Sequence, residues 1–373
     1  MVVLQDWKKQ IKPMTGNKRM LNFNSGPAAL PESVLQEAAK ALVNYNDTGL
    51  SILSIPHRGH LFQAILDESR RLVHELCGLD DSYEVLWMHG GGRLQFCMVP
   101  MNFLSPNHAA GYIDSGHWSK EAMDYARHYG DIMMLSSSAE DNYCCLPEWP
   151  EVISKALSYV HVTTNNTIYG TQWSKLPKTA APLVADMSSD IFSRAIDYTN
   201  CSMFYAVAQK NIGPAGATLV VIKKDLLKKA NHDLPPMLSY TAHVNKGSVL
   251  NTPPVFAIYV SMLMLRWTKE RGIAGIEGEN NAKAAALYQE IDRNSLFYGV
   301  AKKEDRSKMN ACFAAHNKAH EKAFIEFCAK QNITGIEGHR SIGGLRASLY
   351  NSVSLDDVKQ LVATMQAFEK LHS

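Results

Sequence analysis

Asp186 and Lys210 are the two residues whose types and spacing point most directly to chemistry. Asp186 closes the apolar run Leu183-Val184-Ala185-Asp186, and Lys210 follows the run Met203 to Gln209. Ligands of an open α/β sheet bind outside the carboxyl ends of its strands, so both side chains can reach one crevice. A primary amine facing a carboxylate across a crevice is what pyridoxal phosphate requires. The amine forms the Schiff base, and the carboxylate keeps the pyridine nitrogen protonated so that the ring can act as an electron sink. Taken alone, the same pair could be an ordinary ion pair.

The neighbouring residues favour the chemical reading. Lys210 runs into Asn211-Ile212-Gly213-Pro214-Ala215-Gly216, a turn able to bring backbone close to a flat ligand. His89 to Arg93 reads His-Gly-Gly-Gly-Arg after one apolar run and before a helical pattern. That arrangement presents backbone N–H groups and a helix N-terminus to a phosphate. It has neither the Lys-Ser/Thr ending of a P-loop nor the glycine spacing of a dinucleotide fingerprint.

Elements that would position these residues are legible in the rest of the chain. Runs at Val85–Met88, Tyr112–Asp114, Ile132–Leu135, Tyr159–Thr163, Leu183–Asp186, Met203–Val207 and Thr218–Ile222 read as strands between helical stretches. Together they predict a mostly parallel, seven-stranded sheet covered on both faces. Before it, Pro31 opens a helix with an apolar stripe of Val34, Leu35, Ala38, Leu42 and Tyr45. Beyond Pro254 the texture changes to a long helix, Val255 to Arg271, stopped by Gly272. A strand near Met309–Phe313, a helix from about Lys318 to Lys330, a strand at Leu345–Tyr350 and a final helix opened by Ser354 and Asp357 follow. The division expected is an extension over 1–19, a large domain over 20–254 whose first segment partly packs with the small domain, and a small α+β domain over 255–373.

Composition narrows the function classes. The chain has 373 residues, 46% of them hydrophobic, and 38 basic against 36 acidic residues leave a net charge of +2. That balance gives no reason to expect a nucleic-acid partner. The apolar stretch from Val255 to Leu265 is too short to span a bilayer, so no membrane partner is expected. The first nineteen residues lack the apolar core of a signal peptide. Seven cysteines without C-x-x-C spacing suit reduced thiols in the cytoplasm. His316 and His320 have a helical metal-ligand spacing, but without a third ligand nearby they read as two exposed histidines and no metal is expected. Cys97 and Cys201 read as small buried hydrophobes, and no G-x-S-x-G hydrolase motif is present.

Several ordered motifs together resemble the phosphoserine aminotransferase family, class V aminotransferases of the aspartate aminotransferase-like fold (pyridoxal-phosphate fold type I). They are Asn24 to Pro31 (NSGPAALP), Pro56 to Gly59 (PHRG), His89 to Phe96 (HGGGRLQF) and Asp114 to Trp118 (DSGHW). Ala185 to Ser189 (ADMSS), Ala208 to Gly216 (AQKNIGPAG), Asn251 to Pro254 (NTPP) and Gly338 to Asn351 (GHRSIGGLRASLYN) complete the set.

The resemblance implies that Lys210 is the Schiff-base lysine and proton carrier, that Asp186 pairs with the pyridine nitrogen and that Trp118 stacks on the ring. It further implies that Gly92, Arg93 (through its main chain) and Gln209 meet the cofactor phosphate, and that Thr167 bonds the phenolic oxygen or the phosphate. Asn251 and Thr252 would reach the cofactor of a second subunit in a homodimer. Arg346 would clamp the substrate α-carboxylate. His339 and Arg340, with His57 and Arg58 of the partner chain, would hold a phosphate or the glutamate side-chain carboxylate, the anions that Arg suits best. The implied reaction, in serine biosynthesis, converts L-glutamate and 3-phosphohydroxypyruvate into 2-oxoglutarate and O-phospho-L-serine by a ping-pong route. The same cations suit a phosphorylated threonine analogue. Departures from the common family pattern occur at Pro56, Leu94, Asn166 and Tyr169. Other class V activities and a cofactor-binding protein without turnover are the alternatives.

Overall fold

The computed structural model describes residues 19–104 and 107–372. The extension expected over residues 1–19 lies outside the described residues, apart from Arg19, which pairs with Asp357 at 3.2 Å.

All seven expected strands form one sheet. They are β2 (Tyr83–Met88), β3 (Ala109–Asp114), β4 (Asp131–Ser137), β5 (Val160–Thr163), β6 (Leu183–Asp186), β7 (Met203–Val207) and β8 (Thr218–Lys223), in the order β2-β8-β7-β6-β5-β3-β4. β8 runs antiparallel to both neighbours and the remaining pairs are parallel. The central strands are apolar on both faces because both faces are covered. Val85, Trp87, Phe204, Ala206, Leu219 and Val221 enter one core. Leu86, Met88, Met203, Tyr205, Val220 and Ile222, one residue out of phase, enter another.

Helices α1 (Glu32–Val43) and α2 (His60–Cys77) contribute to the first core, whereas α3 (Gly91–Phe103) and α4 (His117–Ala126) contribute to the second. Short helices α5 (Lys224–Leu227) and α6 (Tyr240–Asn245) follow the sheet. The predicted stripe of α1 is partly wrong. Val34, Ala38 and Ala41 face inward, while Leu35 and Leu42 are 49% and 40% exposed. Small alanines let α1 lie close to its neighbour, and the two leucines fall to the side.

Helix α7 (Val255–Arg271) forms with the expected bounds, but its residues Ala257 to Leu265 are buried in the first core. The segment expected to open the small domain thus belongs by packing to the large one. A separate core is built by α8 (Ile273–Arg293), α9 (Ala319–Lys330) and α10 (Leu355–His372). They pack with a three-stranded antiparallel sheet of β9 (Phe297–Gly299), β10 (Asn310–Ala315) and β12 (Leu345–Ser348). Sequence pattern did not predict α8, because Gly275 and Gly278 in its first turns weaken the helical signal. The expected cap of α10 is present in full. Asp357 N–H donates to Ser354 Oγ at 3.1 Å and Ser354 N–H donates to Asp357 Oδ2 at 3.3 Å.

The start of the described chain belongs to this second unit. β1 (Leu21–Asn22) pairs parallel with β11 (Ile333–Thr334), and Leu21 and Phe23 are buried in the small core. The chain then crosses to the large domain, where Ala28 N–H donates to Gln209 O at 2.9 Å.

Candidate active site

The carboxyl ends of β5, β6 and β7 open into a cavity of about 320 Å³. Asp186 is the last residue of β6, and Lys210 lies in the turn after β7. Both line the cavity, as the strand-end argument predicts. Asp186 is 6% exposed, and one carboxylate oxygen accepts from Ser188 N–H at 2.9 Å. Burial raises its pKa, while the Lys210 charge pulls it back down. Around Lys210 the loss of water lowers the amine pKa, Asp186 opposes the shift and Arg346 adds to it. A lowered pKa enlarges the fraction of neutral amine, the form able to attack a carbonyl.

One wall is Trp118, in the first turn of α4. Its indole Nε1–H donates to Thr167 Oγ1 at 3.0 Å. Because Thr167 Oγ1 accepts that bond, its own proton is left to donate elsewhere. The neighbouring loops are locked together where Asn166 Nδ2 donates to Ser115 O. Asn166, a departure from the family pattern, is thus a buried structural tie. The other departures lie apart from the cavity lining: Tyr169 packs against Tyr143 at 4.9 Å, Leu94 is partly buried against the second core, and Pro56 is exposed.

Gly92 and Arg93 lie at the N-terminus of α3 and line the cavity. Gly90 and Gly91 adopt φ of +88° and +65°, which makes the turn that aims the free amides of the first helical turn. The Arg93 side chain is engaged elsewhere. Its Nε donates to Glu121 Oε1 at 2.7 Å, and its guanidinium lies 5.3 Å from the Trp118 ring centre. Gln209 completes this side.

The small domain supplies Arg346 and His339. Arg346, on β12, is 8% exposed. Its Nη1 donates to Thr167 O at 2.7 Å and its Nη2 to Ser25 Oγ at 2.8 Å, while Nε is buried without a protein partner. His339 is partly exposed, and its Nδ1 lies 2.7 Å from Ser341 Oγ and 3.3 Å from Ser341 N. Desolvation, with Arg346, His117 and Arg340 nearby, lowers its pKa. His117 faces His339 at 5.7 Å between ring centres.

Five expected site residues lie outside the cavity lining of the single chain: His57, Arg58, Asn251, Thr252 and Arg340. His57 Nε2 is buried without a partner, and Arg58 and Arg340 are exposed. Asn251 Nδ2 donates to Thr252 O at 3.3 Å. Conversely, Ser25, Phe96, Thr163, Asn165, Ser188 and Ser189 line the cavity without having been assigned roles. Ser25, Ser188 and Ser189 sit inside motifs already singled out, so position relative to Lys210 and Asp186 was the available signal.

Other expectations have simpler outcomes. His316 precedes α9 and is exposed, but His320 is half-buried, with its ring 6.1 Å from Phe368 and 5.4 Å from His372. Packing against α10 therefore corrects the expectation that it is exposed. Cys201 is buried and Cys97 only partly so. Among the described residues, no helix is long and apolar enough to cross a membrane.

The residues fit pyridoxal phosphate. A water-poor amine, a buried carboxylate, a flat aromatic wall and a glycine-flanked helix N-terminus surround one cavity.

Comparison with known proteins identifies the family. The family model for aminotransferase class-V matches residues 20–361. Phosphoserine aminotransferase of Flavobacterium johnsoniae is 47% identical over 350 residues, covering 93% of this chain and 98% of the relative. The Bacillus subtilis phosphoserine aminotransferase is 43% identical over 355 residues, covering 95% and 99%. Among solved structures, phosphoserine aminotransferase from Bacillus circulans subsp. alkalophilus superimposes with a TM-score of 0.93 at 39% identity, covering 95% of this chain and 99% of that one. A pyridoxal-phosphate-bound phosphoserine aminotransferase from Trichomonas vaginalis gives 0.86 at 32% identity, covering 93% and 100%. With a seven-stranded sheet that carries Asp186 and Lys210 at its ligand-binding edge, and with this extent of likeness, the chain belongs to the class-V aminotransferases.

Proposed function

We propose that the chain is a phosphoserine aminotransferase, which reversibly transfers an amino group from L-glutamate to 3-phosphohydroxypyruvate with pyridoxal phosphate as cofactor. The observation that carries this reading is the meeting of Lys210 and Asp186 with Arg346 and His339 around one cavity. Relatives named phosphoserine aminotransferase match over nearly the whole chain.

When bound, the cofactor supplies an electrophilic aldehyde and a ring that accepts negative charge from the substrate α-carbon. Lys210 would attack the aldehyde through its neutral amine and later carry a proton to and from the α-carbon. Asp186 would hold the pyridine nitrogen protonated. Trp118 would hold the ring plane, and Thr167 would donate its hydroxyl proton to the phenolic oxygen or the phosphate. The amides of Gly92 and Arg93 and the side chain of Gln209 would hold the phosphate at the helix N-terminus. Phe96, Ile168 and Val207 make the cavity partly apolar and limit water. Arg346 would orient the α-carboxylate, and His339 with Arg340 would read the distal anion. Each half-reaction uses the same groups in the opposite order.

His57, Arg58, Asn251 and Thr252 make sense as residues lent to a second subunit. Support comes from the chain leading to His57, where Leu35, Leu42, Val43, Leu50 and Leu53 are all exposed. Apolar side chains left in water suit an interface between copies. Free thiols at all seven cysteines suit the reducing cytoplasm.

The test is the visible spectrum of the protein reconstituted with pyridoxal phosphate, before and after amino acids are added. The cofactor band should disappear with O-phospho-L-serine and with L-glutamate but persist with L-alanine. A band that responds to alanine and ignores phosphoserine would overturn the substrate. Failure to acquire any band would overturn Lys210.

A further inference from the structure

We propose that Tyr350 is a positioning residue for Arg346, acting through Ser25 of the segment that crosses between the two domains. The proposal rests on the reading of Arg346 as the α-carboxylate clamp. Arg346 makes no ion pair among the described residues, and its guanidinium is aimed by two neutral acceptors, Thr167 O and Ser25 Oγ. A cation held by two neutral bonds, with its Nε unpartnered, keeps its direction only while both acceptors stay in place.

Thr167 is fixed by the Trp118 bond. Ser25 lies on the crossing segment rather than on a strand or helix, between backbone ties at Phe23 and Ala28, and its own carbonyl is held by the Tyr350 hydroxyl, which donates to Ser25 O at 2.8 Å. Arg346, Ser348 and Tyr350 alternate along β12 and its extension, so they face the same side. Tyr350 is 1% exposed and its hydroxyl oxygen accepts from Asn310 Nδ2 at 3.4 Å. Asn310 Nδ2 also donates to Ser348 Oγ at 3.0 Å, and its Oδ1 accepts from Asn165 Nδ2 at 2.8 Å. Asn165 Nδ2 donates to Ser189 Oγ at 2.8 Å, and both residues line the cavity. The backbone at Tyr350 is itself pinned, because the buried Lys283 amine donates to Leu349 O, Tyr350 O and Val353 O at 2.9, 2.9 and 2.8 Å. A chain of hydrogen bonds thus runs from the sheet-end side of the cavity to the Tyr350 hydroxyl, and from there through Ser25 to Arg346.

Tyr350→Phe removes this link with little change in volume. The expected result is a rise of about five- to tenfold in KM for every amino-acid substrate, since all share the α-carboxylate, with kcat within about twofold. The spectrum of the bound cofactor and its dissociation constant should match the unsubstituted protein. Ser25→Ala should give a loss of the same kind, and the double variant should lose no more than the larger single one. Thermal unfolding of each holoprotein checks folding, and the kinetics are measured well below the midpoint of the less stable variant. An unchanged KM in Tyr350→Phe would overturn the proposal. So would a loss confined to kcat with an altered spectrum, since that would tie Tyr350 to the cofactor side. If the unsubstituted protein turns over a different amino acid from phosphoserine, the substrate reading falls. The Tyr350 comparison is then made on that amino acid, whose α-carboxylate is the same.

Discussion

The two walls of the cavity are built differently. On the large-domain wall, Asp186 ends a strand and Lys210 follows one by three residues, both held by a sheet apolar on both faces. On the small-domain wall, only Arg346 lies on a strand. His339 and Arg340 occupy the loop from Gly338 to Gly344, which is largely exposed. Gly338 is pressed against the carbonyls of Gly343 and Gly344, where a Cβ would clash, so the loop folds tightly on itself. Under the proposed function, the groups that would make and break bonds sit on or beside strands, and those that would read the far end of a substrate sit where replacement costs the fold little.

The largest effect should come from breaking the rigid wall. Lys210→Ala should lower transamination by roughly 10⁴-fold or more, because nucleophile and proton carrier are lost together. Single-turnover absorbance with L-glutamate measures it, and activity within tenfold of the unsubstituted protein would refute the assignment. A smaller, selective effect belongs to the loop. Arg340→Ala should raise KM for O-phospho-L-serine by about tenfold and leave kcat nearly unchanged. Steady-state kinetics decide this, and a fall in kcat alone would show that Arg340 serves the chemistry instead.

The smallest effect couples the walls. The Arg346 charge helps to lower the Lys210 pKa. Arg346→Gln should therefore raise that pKa and, at neutral pH, reduce the neutral-amine fraction. The rate at which the apoprotein takes up pyridoxal phosphate rises with pH as Lys210 deprotonates. Its midpoint should move upward by a fraction of a unit in the variant, and a downward move would contradict the geometry.

Much of the rigid wall was legible in the sequence because its strands are short apolar runs that end at polar residues. Leu183–Asp186 and Met203–Val207 form with the expected bounds. The loops were legible only through motifs, since glycine and polar residues specify a turn without specifying what it faces. The phase of α1 was misread because alanine buries as readily as leucine where helices approach closely. α8 escaped prediction because its signal depends on packing rather than on local propensity. That the first segment packs with the small domain was expected, but its pairing was not legible, because β1 is two residues long and its partner β11 lies more than three hundred residues later.

That pairing bears on the order in which the molecule is assembled. Leu21 and Phe23 are among the first described residues to leave the ribosome, yet their neighbours in the small core include Ile333, Met365 and Phe368. All seven strands of the large sheet precede residue 224, so that sheet can form while the small domain is still being made. The first segment must wait for nearly the whole chain, and closing so long a loop is slow. The bond from Arg346 to Ser25 is therefore among the last contacts at the cavity to form. A nascent chain can complete the sheet whose strand leads to Lys210 before Arg346 has taken its place at the cavity.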